Sequence, residues 1–198
     1  MKTEIEAKFL NVNFDEVRER LLAAGAVCEQ PMRLMRRVVI EPSFIKEAGR
    51  NAFIRIRDEG DKVTITFKEF LDLSLTGASE REVTVSDFDE AVEIFKAGGL
   101  DYRSYQESKR ETWKLGDVEV VLDEWPWINP YIEIEGPSEK HVEETAEQLG
   151  FTWSDAVFGS ADAIYKIEYP HLEKRGVIDV KEVRFEDPVP KALGQRVQ

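Results

Sequence analysis

A chain of 198 residues with 40 acidic against 27 basic side chains, a formal charge of −13, has the size of one domain, or of one domain with an appendage. That balance argues against a protein that coats nucleic acid phosphates, and the single cysteine, Cys28, excludes an internal disulfide framework and paired-cysteine zinc motifs. No charged segment leading into an apolar one opens the chain and no apolar run approaches a membrane span, so a soluble cytoplasmic protein is expected, with neither membrane nor nucleic acid polymer as partner.

In chain order, residues 3–9 read as a strand with Glu4, Glu6 and Lys8 on one side and Ile5, Ala7 and Phe9 on the other. Asn13 or Asp15 can cap a helix reaching Ala24, which Gly25 ends, and Cys28 is expected as a small buried residue just beyond it. A strand over 34–41 stops at Pro42, and 43–50 reads as a connection. Residues 52–57 then place Phe53, Arg55 and Arg57 on one face. A turn at Glu59-Gly60-Asp61 leads to a second strand with Lys62, Thr64, Thr66 and Lys68 on one face.

A Gly-containing loop over 71–78 precedes a strand over 80–85, in which Glu80, Glu82 and Thr84 alternate with Arg81, Val83 and Val85. Ser86 or Asp87 can cap a helix through Ala97, ended by Gly98-Gly99. A long strand over 102–115 turns at Gly116-Asp117 into 118–123, and the following loop carries two exposed-looking aromatics, Trp125 and Trp127. The pattern of the opening strand returns in 131–135, with Glu133 and Glu135 alternating with apolar neighbours. Ser138 can cap a helix to Leu149, and 155–169 reads as a shorter helical segment broken at Pro170. In the tail, 177–185 reads as one more strand, and 170–198 as an appendage to a domain of 1–169. His141 and His171 read as surface residues without ligand spacing.

Seven or eight strands thus share one property: an apolar face that amphipathic helices can cover and a face that carries charge. Around a conventional core, the charged faces would lie in water. In a closed barrel with helices outside, they point inward. The interior then holds Glu4, Glu6, Lys8, Arg55, Arg57, Lys68, Glu80, Glu82, Arg110, Asp123, Glu133 and Glu135. An unpaired buried ion costs on the order of several kcal/mol, so such an interior implies a water-filled tunnel and charged ligands. Alternating carboxylates suit Mg²⁺ or Mn²⁺, while Arg55, Arg57 and Lys68 suit phosphate oxygens. Both sets together describe a site for a metal-bound polyphosphate. No GxxxxGK[ST] loop or GxGxxG fingerprint is present.

Several motifs, in order over residues 1–169, carry a family resemblance. They are the Glu-x-Glu-x-Lys start, Phe-Ile-Arg-Ile-Arg answered by Thr-Phe-Lys, Glu-Arg-Glu, the hairpin Lys-Arg-Glu-Thr-Trp-Lys-Leu-Gly-Asp-Val-Glu, and Leu-Asp-Glu followed by Ile-Glu-Ile-Glu-Gly. The chain resembles the CYTH superfamily, the triphosphate tunnel metalloenzymes, which includes class IV adenylate cyclases, thiamine triphosphatases and inorganic triphosphatases. The resemblance implies an α+β fold, a closed and mostly antiparallel barrel of about eight strands flanked by helices. It implies Mg²⁺ or Mn²⁺ on Glu4, Glu6, Glu133, Glu135 and Asp123, with Glu80 or Glu82. It also implies phosphates on Lys8, Arg55, Arg57, Lys68, Arg110 and Lys166, of which Lys8, Arg55, Arg57 and Lys68 would be catalytic. Arg36-Arg37-Val38-Val39-Ile40 stands where the family often has Asp-x-Tyr-Phe, Ser108-Lys109-Arg110 stands for Lys-x-Arg, and Ile128-Asn129-Pro130-Tyr131 stands for Leu-Gly-x-Phe.

The expected ligand is a triphosphate-bearing small molecule, and a homodimer is left open. The expected reaction is metal-dependent hydrolysis of inorganic, thiamine or nucleoside triphosphate. Cyclisation of ATP to cyclic AMP and pyrophosphate, or binding without turnover, are the alternatives that the motifs leave standing.

Overall fold

The computed structural model describes residues 5–70, 78–172 and 177–196, so Glu4 and segment 71–77 lie outside the described residues. The strands are β1 (Ile5–Leu10), β2 (Val27–Ile40), β3 (Asn51–Asp58), β4 (Val63–Phe70), β5 (Ala78–Val85), β6 (Ser104–Leu115), β7 (Val118–Glu124), β8 (Tyr131–Gly136) and β9 (Glu182–Val183). The α-helices are α1 (Phe14–Ala23), α2 (Ser43–Glu47), α3 (Phe88–Ala97), α4 (Glu139–Gln148) and α5 (Ala161–Glu168). This is an α+β fold with a mostly antiparallel sheet. Strand neighbours follow the order β1-β8-β7-β6-β2-β3-β4-β5, with β9 parallel to β6; among the described residues no pairing returns β5 to β1.

The chain divides into two compact units. The first holds the described residues of 34–107 with 177–184, and the second those of 4–33, 108–176 and 185–198. In the first, β2, β3, β4 and β5 pair antiparallel in sequence. Their alternation sends Val38, Ile40 and Ile56 to one face, where Phe88, Ala91 and Val92 of α3 cover them. Asp87 starts that helix, its carboxylate accepting from the Glu90 amide at 2.8 Å. Arg36 also lies on the helix side, paired with Asp58 at 2.8 Å and stacked over the Phe88 ring.

In the second unit, β1 pairs with β8, β8 with β7 and β7 with β6. Ala7, Phe9, Val118, Val120, Leu122, Ile132 and Ile134 share one face and are buried under Val17 and Leu21 of α1 and Val142 and Ala146 of α4. Asn13 caps α1, accepting from the Asp15 amide at 2.9 Å, and Ser138 caps α4. Gly116, at φ 60°, makes the tight β6–β7 turn that a side chain would strain. A Cβ on Gly136 would lie 3.2 Å from Val142, so this glycine lets β8 pass close beneath α4. Among the described residues no helix is long and apolar enough to cross a membrane.

Several sequence expectations are corrected. The second strand begins at Val27, well before residue 34; its first residues Val27, Cys28 and Glu29 are all exposed, so no apolar face marks it, and Cys28 is an exposed thiol. Segment 43–50 contains the short helix α2. The helix expected over 155–169 is a 3-10 turn at Trp153–Asp155 followed by α5. The strand expected over 177–185 is a 3-10 turn at Val177–Asp179 and the two-residue β9. Trp125 is buried, its ring edge-on to Tyr165, which explains its position by packing. Within the tail, Val177 and Val183 are buried in the first unit and Leu193 in the second.

Candidate functional site

Each unit presents one charged face, on the side of its strands opposite the helices. In the first unit, cross-strand register sets out three rows. Arg37, Arg57, Thr64 and Thr84 form one, Val39, Arg55, Thr66 and Glu82 the next, and Phe53, Lys68 and Glu80 the third. Lys68 pairs with Glu80 at 2.6 Å, and the buried Thr66 hydroxyl donates to Glu82 at 2.7 Å. Arg57 pairs with Glu59, which also holds Lys62 at 3.4 Å.

The guanidinium Nε atoms of Arg55 and Arg57 and the hydroxyl of Thr64 are buried, and none of the three has a hydrogen-bond partner. Burial, and then the charge of Arg57, push the Arg55 pKa down, against the pull of Glu80, Glu82 and Glu59. A buried donor without a partner normally costs about 1–3 kcal/mol, more when charged. Three on one face, two of them on cations, describe a surface complementary to an anion with several oxygens.

In the second unit the rows are Glu6, Glu135, Glu119 and Lys114, then Lys8, Glu133, Val121 and Thr112, then Tyr131, Asp123 and Arg110. The ammonium of Lys8, only 2% exposed, lies 2.6 Å from Glu6 and 3.6 Å from Glu133. Its backbone is fixed on both sides, by β8 and by two hydrogen bonds of 2.9 Å with Val157. Arg110 makes a bidentate pair with Asp123 and approaches Glu133 at 3.6 Å. Asp123 and Glu133 together hold the Arg110 guanidinium well above its ordinary pKa despite its burial. Glu133 is pushed up to about 7, first by burial and then by a hydrogen bond with Glu6, although Arg110 and Lys8 pull it down.

Of the residues expected from sequence, Arg55, Arg57, Lys68, Glu80 and Glu82 come together in the first unit, and Glu6, Lys8, Arg110, Asp123, Glu133 and Glu135 in the second. Glu4 lies outside the described residues. Lys166 is exposed on α5, whose buried residues Tyr165 and Glu168 bond to the loop of Pro126 and Asn129 instead, and among the described residues no hydrogen bond or ion pair joins it to the charged face. Lys109 points to the other side of β6 from Arg110, pairing with Glu124 and capping the Phe185 ring. Sequence reasoning missed Arg37 and Glu119. Their alternation with Val38 and Val120 was the available signal.

Oxygen donors for a hard divalent ion are present on Glu6, Glu133 and Glu135. Glu6 and Glu135 are register partners on β1 and β8, with Glu133 on the same face one pair along, and this set of adjacent oxygen donors is the observation that such an ion fits. Both oxygens of Asp123 accept from Arg110, while Glu80 meets Lys68 and Glu82 accepts from Thr66 through one oxygen each. Among the described residues no three acidic side chains converge as a ready metal cage.

Residues 2–156 match the model of the CYTH domain, and the chain belongs to the CYTH family. Enzymes of this family are triphosphatases or adenylate cyclases and depend on a metal. Among solved structures the chain is similar to the PH1012 protein of Pyrococcus horikoshii, at 27% identity and a TM-score of 0.59 over 78% of this chain and 94% of that one. A conserved hypothetical protein of Pyrococcus furiosus is 26% identical, with a TM-score of 0.60 over the same shares, 78% and 94%. A candidate adenylate cyclase from Vibrio parahaemolyticus is 12% identical, with a TM-score of 0.64 over 82% and 97%, a likeness of fold alone. No curated protein matches.

Proposed function

We propose that the chain is a metal-dependent hydrolase of a small triphosphate-bearing substrate, acting in the cytoplasm. The observation that carries this reading is the set of unpartnered buried donors on Arg55, Arg57 and Thr64. A phosphate chain supplies the several strong acceptor oxygens such a set requires, and guanidinium groups hold them in bidentate fashion. Lys68 adds positive charge on the same face, and its pairing with Glu80 keeps the side chain in place. The closed tunnel expected from sequence belongs to this proposal, as do the ligand roles of Glu4, Glu6, Glu133 and Glu135.

Those carboxylates would hold Mg²⁺ or Mn²⁺, and the chemistry such an ion would supply is neutralisation of phosphate charge. The chain's own cations orient the phosphates and stabilise the charge that builds up as the bridging bond breaks. Hydrolysis forms a bond from water oxygen to the terminal phosphorus and breaks the bridging P–O bond, with diphosphate and phosphate as products.

The test is to measure phosphate release and cyclic AMP formation from tripolyphosphate, thiamine triphosphate and ATP with Mg²⁺ or Mn²⁺. Phosphate without cyclic AMP is expected. Cyclic AMP with pyrophosphate would make the chain a cyclase, and binding without either product a sensor. Glu4→Ala with Glu6→Ala should abolish metal-dependent turnover; unchanged turnover would remove the metal assignment.

A further inference from the structure

We propose that residues 177–184 of the tail are a latch on the first unit, whose docking sets the direction of a buried hydrogen-bond relay behind the charged face and so governs anion binding there. The inference rests on the reading of that face as a phosphate site. The segment lies beyond residues 2–156, which match the CYTH domain, yet it is built into the first unit. It pairs with the first residues of β6, ahead of the pairing with β7 that begins at Lys109. Glu182 stands opposite Tyr105 and Val183 opposite Gln106, and the Tyr105 amide donates to the Lys181 carbonyl at 2.9 Å.

Val177 and Val183 are buried and anchor the segment in the core. Around them the attachment is electrostatic. Arg103 pairs with Asp179, Lys181 with Asp101 at 2.8 Å and Arg184 with Glu107 at 3.5 Å. Lys181 and Arg184 also lie over the rings of Tyr102 and Tyr105, at 4.1 and 4.0 Å from the centroids. Ion pairs at partly exposed positions are weakened by water and salt, so a two-residue strand held among them opens more readily than the sheet on which it lies.

The relay joins this segment to the face. Ser104 Oγ donates to the Val180 carbonyl at 2.7 Å, Gln106 Nε2 donates to Ser104 Oγ at 3.2 Å, and Arg37 Nε donates to Gln106 Oε1 at 2.7 Å. Ser104 and Gln106 are 0% and 3% exposed, so water does not readily replace these partners. The Val180 carbonyl can only accept. It therefore takes the Ser104 proton, which leaves Ser104 Oγ to accept from the Gln106 amide nitrogen and turns the amide oxygen toward Arg37. When the segment lifts, the Ser104 proton is free to go to Gln106 instead. The amide then reverses, with its nitrogen toward Arg37 Nε, donor against donor. Arg37 is the register partner of Arg57, whose buried Nε has no hydrogen-bond partner, so reversal disturbs the face at that row. Docked and lifted segments are two states of one relay, and an anion on the face favours the docked one.

Hydrogen exchange of the Tyr105 amide, bonded to the Lys181 carbonyl, reads docking, and calorimetric titration with tripolyphosphate reads the face. Both are measured on the wild-type protein, Val183→Asp, Ser104→Ala and Arg55→Gln, with thermal unfolding as the check on folding. Val183→Asp should speed exchange at Tyr105 and weaken tripolyphosphate binding by about tenfold, and a synthetic peptide of residues 177–184 should restore both. Ser104→Ala should weaken binding by a similar factor while Tyr105 stays protected. In the wild type, saturating tripolyphosphate should slow Tyr105 exchange by about the same tenfold, because coupling between two sites is reciprocal. That measurement needs no variant, and unchanged exchange would overturn the latch even where Val183→Asp does not fold. If Ser104→Ala folds normally and binds like the wild type while Arg55→Gln loses tripolyphosphate binding, the relay is wrong and the phosphate face stands. If the wild-type protein binds no tripolyphosphate, the reading of the face itself fails.

Discussion

Arg110 and Asp123 lie directly opposite each other on β6 and β7 and are joined by two charge-assisted hydrogen bonds, Nε to Oδ1 at 2.7 Å and Nη2 to Oδ2 at 2.5 Å. Asp123 is 1% exposed, so its charge is acceptable only with this partner. Removing one member of a buried pair costs about 3–5 kcal/mol, and the partial exposure of Arg110 places Asp123→Asn at the lower end. Urea unfolding should show the loss. A change below about 1 kcal/mol would mean that the pair is dispensable.

Glu133 makes stability depend on pH in a sense opposite to that of most paired carboxylates. Its folded pKa of about 7 lies above the ordinary value of 4.5, so between those two values the folded chain binds more proton at this site than the unfolded one. Stability from this group is therefore lost as pH rises through that window. Glu133→Gln should gain on the wild type in urea midpoint between pH 5 and 8, measured without metal. A constant difference across that range would contradict the raised pKa.

Addition of Mg²⁺ or Mn²⁺ should reverse that loss. An ion bound only by the folded state at a hundredfold excess over its Kd stabilises by about 2.7 kcal/mol. Thermal unfolding at pH 8 should show the gain for the wild type and its absence in Glu6→Gln with Glu135→Gln.

How much of this was legible in sequence depends on whether a residue's partners lie along its own strand. Glu6, Lys8, Arg55, Arg57, Glu133 and Glu135 alternate strictly with apolar residues, and each falls on the expected face. Arg37 follows the same rule, but Arg36 beside it reads as part of the same basic pair. Only the structure separates them, sending Arg36 to Asp58 and Phe88 and Arg37 to Arg57 and Gln106. The early part of β2 carries Glu29, Gln30 and Pro31 and has no buried apolar face, so period and propensity both hide it. Charges that cancel in space, such as Arg110 on Asp123, could not be told from charges that await a ligand.

The loop between β7 and β8 should depend on chain beyond the matched region. Glu168, 6% exposed, accepts from the Asn129 amide at 2.9 Å and from Arg196, while Trp127, at φ 69°, donates from its indole to the Asp187 carbonyl at 2.8 Å. Glu168→Ala strands the Asn129 amide and Arg196 and should cost about 1–3 kcal/mol. Faster hydrogen exchange at Asn129 is the accompanying sign, and unchanged protection would show that the loop holds itself.

The central claim is that the cations of the β3–β4 hairpin bind a phosphate chain for hydrolysis. Phosphate release from tripolyphosphate with Mn²⁺ or Mg²⁺, compared between wild type, Arg55→Ala and Arg57→Ala, tests it most directly. Wild-type turnover that falls by about a hundredfold or more in each variant, with folding retained, is the predicted result. Turnover by the wild type that survives both substitutions would contradict it.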